Sequence, residues 1–267
     1  MSGINSIGSA DYSWLFSTKT QRQDSISQLW TSYNNYHSNA TSTLAGISEI
    51  NTNLRSLMSS YDDAKSAFNA EFEENMSDLS ESAKQVSRYS FKVPPNGAIT
   101  KTETTDANGI ISTSTTYSKD LQTALDAVIN FVSNYNSSLQ FLNDNASVSR
   151  RVENLANTFS DTTYRASSYD AIGISVQSNG MLEVNEEMLA NAIVNDPDKV
   201  SSVLGADGLA GKAEQHVSFA TFQQDRLFPT AQAMLGDQIN AASLYTSNAY
   251  LAMSSYASVG NLVNMLF

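Results

Sequence analysis

From Ile26 onward, apolar residues recur at alternating steps of three and four, and this seam restricts the fold more than any other feature of the chain. Its members are Ile26, Leu29, Tyr33, Tyr36, Ala40, Thr43, Ile47, Ile50, Leu54, Leu57, Tyr61, Ala64 and Phe68, of which only Thr43 is polar. A mean step of 3.5 residues keeps one stripe of a helix against a partner, which is the heptad pattern of a coiled coil. Beyond Phe68 the seam steps by four to Phe72 and to Met76, then resumes through Leu79, Ala83 and Val86. Such a stutter unwinds a supercoil locally and predicts a change of packing partner there. Read as one helix from about Asp24 to Tyr89, the stretch would be on the order of 100 Å long at 1.5 Å per residue.

Val93-Pro94-Pro95-Asn96-Gly97 ends that helix, because proline biases the residue before it toward extended backbone and Asn-Gly favours a turn. The Thr- and Ser-rich stretch from Ala98 to Tyr117, with Asp106-Ala107-Asn108-Gly109 in its middle, reads as a small hairpin or a flexible tip. Ser118 can cap the next helix, whose seam is Leu121, Leu125, Val128, Val132, Tyr135, Leu139 and Leu142. A further helix is expected from about Ser147 to Tyr164, on Val148, Val152, Leu155 and Phe159. After Gly208 and Gly211 the pattern is helical again, with a break expected at Pro229. Val217, Ala220 and Leu227 precede the break; Ala231, Leu235, Ile239, Ala242, Tyr245, Ala249, Ala252, Tyr256, Val259, Val263 and Leu266 follow it. The small side chains among these admit close approach by bulky ones such as Tyr33, Tyr36 and Tyr61. The expected fold is mainly α: an elongated antiparallel helical bundle or coiled coil with one or two small β-hairpins.

Between Ser168 and Gly205 the chain packs a hairpin and two capped helices into one run. Ile172 to Val176 is rich in β-branched residues, Gln177-Ser178-Asn179-Gly180 has tight-turn chemistry, and Met181 to Val184 can return as the partner strand. Asn185 is placed to cap a helix with Glu186 and Glu187 in its first turn and an apolar face of Met188, Leu189, Ala192 and Ile193. Asp196-Pro197 is a second start signal, followed by Val200, Val203 and Leu204 and stopped at Gly205. Gly173, Asn179, Gly180, Asn185 and Pro197 are therefore the expected scaffold residues of the unit.

Composition narrows the function. The formal net charge of −12 repels a phosphate backbone, so nucleic acid is an unfavourable partner. No window approaches the roughly 20 apolar residues of a membrane span, and the start of the chain lacks the basic and apolar regions of a cleavable signal peptide. With no cysteine, thiolate catalysis and cysteine metal sites are excluded. His37 and His216 each lack a second histidine at zinc-site spacing, and the carboxylates Asp62, Asp63, Glu71, Glu73 and Glu74 read as a solvated helix face. Neither an enzyme nor a cofactor is expected.

The order Gly-Ile-Ser at 173–175, Asn-Gly-x-Leu-x-Val at 179–184, then a helix ending at Asp196-Pro197 with Val200 and Leu204 beyond, resembles the C-terminal half of flagellar filament-capping proteins, the hook-associated axial family. Phe131-Val132-Ser133-Asn134-Tyr135-Asn136 is similar to the family's helix before that hairpin. The resemblance covers roughly residues 118 to 267 and suggests a short member lacking the large inserted domains. It implies a structural protein of the bacterial flagellum, exported by the type III route without a cleavable signal and located outside the cell. It also implies self-assembly through terminal helices, with flagellin or other axial proteins and an export chaperone as partners. On it the chain divides into a disordered assembly and export terminus (1–23), a long coiled-coil helix (24–90), a short β-rich or flexible tip (91–117), helices with the hairpin unit (118–211) and C-terminal coiled-coil helices (212–267).

One long stripe cannot be covered by shorter helices unless they stack end to end, so part of the seam is expected to serve self-association. The residues assigned to it are Ile47, Ile50, Leu54, Leu57, Tyr61, Ala242, Tyr245, Ala249, Ala252, Tyr256, Val259, Val263 and Leu266. Two alternatives stay open: a secreted adhesin or secretion-apparatus tip protein using 98–117 to touch a ligand, and a flagellin-like or hook-filament junction subunit.

Overall fold

The computed structural model describes residues 27–31, 47–105 and 111–236, with side chains described for 27–31, 55–103 and 114–236. After a helical stretch at 27–31, the elements are α1 (Ile47–Ser87), β1 (Ile99–Thr105), β2 (Ile111–Tyr117), α2 (Lys119–Asp144), α3 (Arg150–Phe159), α4 (Ala166–Asp170), β3 (Ile174–Val176), β4 (Leu182–Val184), α5 (Glu186–Asn195), α6 (Pro197–Leu204) and α7 (Leu209–Phe222). Short 3-10 turns follow α2, α3 and α7, and a further helical stretch occupies 231–236. Among the described residues the fold is mainly α, with two small antiparallel hairpins, β1 with β2 and β3 with β4.

The chain divides into two compact units, one formed by residues 1–71 and 228–267 and the other by Phe72–Leu227. In the first, Leu57, Tyr61, Ala64 and Phe68 of α1 are buried along one stripe. Tyr61 meets the ring of Phe228 edge-on at 5.7 Å, Phe68 packs on the same ring at 5.5 Å, and the Tyr61 hydroxyl donates to the Pro229 carbonyl at 2.9 Å. That bond gives a buried phenol the partner it needs. Pro229 breaks the helical path as expected, and Thr230 restarts it by accepting from the Ala233 N–H.

In the second unit the rest of the seam, Phe72, Met76, Leu79, Ala83 and Val86, is buried as well. On either side of the four-residue stutter, Phe68 packs on Phe228 and Phe72 on Phe141. Contacts step down α1 as they step up α2. Asn134 donates to the Asp78 carbonyl, Ser138 to the Asn75 carbonyl, and Phe141 lies 6.3 Å from Phe72, which fixes the pair as antiparallel. Ser87 bonds Glu214 and Gln224 bonds Glu73, so α7 also runs antiparallel to this part of α1. The α2 seam from Leu121 to Leu142 is buried throughout.

Two expectations are corrected. The helix expected from about Ser147 to Tyr164 is α-helical only over Arg150–Phe159, and Ser160–Arg165 tightens into a 3-10 turn. Met188 does not join the apolar face of α5: it is 52% exposed, and the buried residues there are Leu189, Ala190 and Ile193.

Candidate functional site

Asn136 joins the two stretches that carry the sequence pattern. It sits in α2 beside the buried Tyr135, and its side-chain amide reaches the backbone of Leu182 in β4, donating to the carbonyl at 2.7 Å and accepting from the N–H at 2.9 Å. A side-chain amide has the donor and acceptor geometry of a peptide group, so Asn136 acts as a third strand one residue long. The two-stranded sheet needs such support, because three ladder positions pair Ile174 with Val184, Ser175 with Glu183 and Val176 with Leu182, too few to stand alone.

The turn closes through two backbone bonds, Gly180 N–H to the Gln177 carbonyl at 2.9 Å and Gln177 N–H to the Met181 carbonyl at 2.8 Å. Gly180 has φ +86°, the left-handed region that glycine adopts freely. A Cβ there would lie 2.6 Å from Ser160 Cα, so the turn rests directly on the backbone after α3. Thr162 completes the junction by donating to the Gly180 carbonyl at 2.7 Å. The shortened α3 now has a reason: its continuation is spent on the hairpin. Gly173, φ +88°, lies at the other end, where a Cβ would come within 2.7 Å of the Leu189 backbone, and its carbonyl accepts from the Asn185 N–H. Asn185 in turn caps α5 through the Met188 N–H at 3.0 Å, and Asp196 caps α6 with Pro197 in its first turn.

Beneath this junction lies a polar cluster. The Tyr135 hydroxyl donates to the Phe159 carbonyl, and burial first, then Asp161, pushes its pKa far above the ordinary value. Lys212 of α7 reaches Asp161 at 3.2 Å, and His216, one turn on, is 3.8 Å from the same carboxylate with its ring 5.3 Å from Phe159. Burial lowers the His216 pKa; Asp161 opposes that shift and Lys212 adds to it. Its Nδ1 is buried without a hydrogen-bond partner. Among the described residues no cluster of potential metal ligands occurs.

Of the five expected scaffold residues, Gly173, Asn179, Gly180 and Asn185 lie in or beside the hairpin, and Pro197 lies beyond α5 at the start of α6. Asn179 contributes its side chain by accepting from the Met181 N–H at 3.1 Å. Of the residues assigned to self-association, Leu57 and Tyr61 are buried inside the first unit. Ile47, Ile50 and Leu54 belong to α1, but their side chains lie outside those described. Ala242, Tyr245, Ala249, Ala252, Tyr256, Val259, Val263 and Leu266, like His37 and residues 1–23, lie outside the described residues. Sequence reasoning named Asn136 only within the 131–136 pattern and His216 only as a lone histidine, and missed the contacts of both, together with Thr162, Asp161 and Lys212. For Asn136 a signal existed: asparagine is a weak helix former, and mid-helix beside seam tyrosine it asks what its amide bonds.

No helix among the described residues is long and apolar enough to cross a membrane. No curated protein and no solved structure matches the chain. Residues 141–256 match the family model described as the flagellar hook-associated protein 2 C-terminus, a stretch that contains the hairpin, the capped helices and the Asp161 cluster. Over that segment the chain is similar to the C-terminal part of a flagellar hook-associated protein, which supports a place in the flagellar cap protein family.

Proposed function

We propose that the chain is a cap-like axial protein of the bacterial flagellum that assembles with copies of itself outside the cell and assists the incorporation of flagellin. The observation that carries this reading is the family match at residues 141–256, which includes the hairpin and the Thr162 and Gly180 contacts that seat it. Self-association is assigned to the terminal segments, 1–23 and 24–90 with 212–267. Because Leu57 and Tyr61 are occupied within their own unit, contact between copies falls to Ile47, Ile50 and Leu54 and to the stripe Ala242, Tyr245, Ala249, Ala252, Tyr256, Val259, Val263 and Leu266. That stripe repeats at heptad steps from Ala242, the spacing that pairs helices.

A strain lacking the chain tests the reading. It should shed flagellin into the medium and carry short filaments or none, with both restored by the gene in trans. Filaments of normal length with no flagellin in the medium contradict it; loss of attachment to surfaces alongside intact filaments would mean an adhesin.

A further inference from the structure

The hairpin β1–β2 presents edges that nothing described covers. Its register pairs Ile99 with Tyr117 and Lys101 with Thr115, and the Ser118 N–H continues the ladder by donating to the Ala98 carbonyl at 2.8 Å. Hydrogen-bonding direction alternates along an antiparallel strand. Since Ala98 faces β2, Thr100 and Thr102 face β2 too, and Ile99, Lys101 and Glu103 turn their backbone N–H and C=O groups away from it. Among the described residues those outward groups have no backbone partner. Lys101, Thr102 and Glu103 are exposed. An edge of this kind is a template for another strand, and natural edges are usually blunted by charge, proline or a bulge.

The charges here do not blunt the edge against a copy of itself. We propose that β1 pairs edge to edge with β1 of a second copy of this chain, antiparallel, about a two-fold axis at Thr102. That register sets Lys101 opposite the second copy's Glu103 and Glu103 opposite its Lys101, so two opposite-charge pairs form on one face. All four of these residues are outward-facing, as the ladder requires. Shifting by two residues sets lysine against lysine or glutamate against glutamate, and shifting by one opposes outward-facing groups to inward-facing ones. The charge pattern therefore selects one register and one partner. The edge of β2, through Thr113, Thr115 and Tyr117, carries no charge and selects none. For a chain of net charge −12, contact between copies needs such local complementarity. Lys101 also meets Glu187 of α5 at 2.6 Å, which holds the hairpin by one face and leaves the edge clear. An ammonium has three donors and can serve both carboxylates. The proposal rests on the reading of the chain as self-assembling and places one of its contacts.

The chain has no cysteine, which makes the test direct. Residues facing each other across a two-fold axis in a non-hydrogen-bonded pair have Cα atoms about 4.5 Å apart, within disulfide range. Under mild oxidation the full-length Thr102→Cys variant should form a disulfide-linked dimer at least about tenfold faster than Ser114→Cys, whose strand faces no copy. In the Thr102→Cys background, Lys101→Glu should slow crosslinking by roughly tenfold, Glu103→Lys likewise, and the double exchange should restore it. Glu187→Gln separates the strap from the pairing and should leave crosslinking unchanged. Sedimentation of the same samples distinguishes the failures. Oligomers that persist while Thr102→Cys crosslinks no faster than Ser114→Cys overturn the hairpin contact alone, and a chain that stays monomeric overturns self-assembly with it.

Discussion

Asn136→Ala removes the amide that holds Leu182 by both backbone groups and leaves them without that partner at a part-buried position. The loss should cost about 1–3 kcal/mol, read as a lowered urea midpoint with an unchanged slope. Asn136→Gln, with its amide displaced by one methylene, should not rescue it; full stability in Asn136→Ala would show that the clamp contributes nothing. Gly180→Val meets two obstacles, a positive φ and the Ser160 backbone, and should cost about 3–5 kcal/mol. Gln177→Ala and Ser178→Ala change exposed side chains and should leave stability within error; lost flagellin binding at full stability would instead make the turn a recognition surface. His216 gives the unit a pH dependence. Its folded pKa lies below the unfolded value of 6.5, so the folded state binds fewer protons, and stability is full above that value and falls as pH drops through it. The charged groups facing it are Asp161 and Lys212. His216→Leu should flatten the decline between about pH 6.5 and 5, above the range where most carboxylates titrate. Equal slopes in parent and variant would remove His216 as its source.

At the scale of elements, the seams were legible because burial follows helical period. Every seam position from Leu57 to Val86 whose side chain is described is buried, as is the whole α2 seam. Caps were legible because Ser118, Asn185 and Asp196 act within three residues of themselves. What lay beyond reading was contact between elements far apart in sequence. The bond from Asn136 to Leu182 spans 46 residues, and the end of α3 at Phe159 is set by the turn that must sit on Ser160, not by any residue inside α3. Met188 failed for a related reason: helical period marks a stripe, but the edge of that stripe is decided by what packs on it, and Gly173 takes the backbone there. Leu57→Asp tests the seam itself. Leu57 is 1% exposed, so the change should cost about 2–5 kcal/mol through lost burial and an unpaired charge. A melting temperature equal to the parent's would mean that the register of α1 is wrong.

For the whole molecule, the family match at 141–256 overlaps the Phe72–Leu227 unit over 141–227, the stretch that holds the hairpin and the capped helices. The other unit takes residues from both ends of the chain, 1–71 and 228–267. The account joins these as a scaffold that is fixed and ends that engage copies of the chain. Its central claim is a place: the end of the growing filament, on the far side from the cell. Gold-labelled antibody against the Phe72–Leu227 unit, applied to intact flagella under the electron microscope, reads that place directly. The account predicts label confined to the distal tips of filaments, or of hooks where flagellin is absent. Label spread along the filament shaft, or scattered over the cell surface, would contradict it.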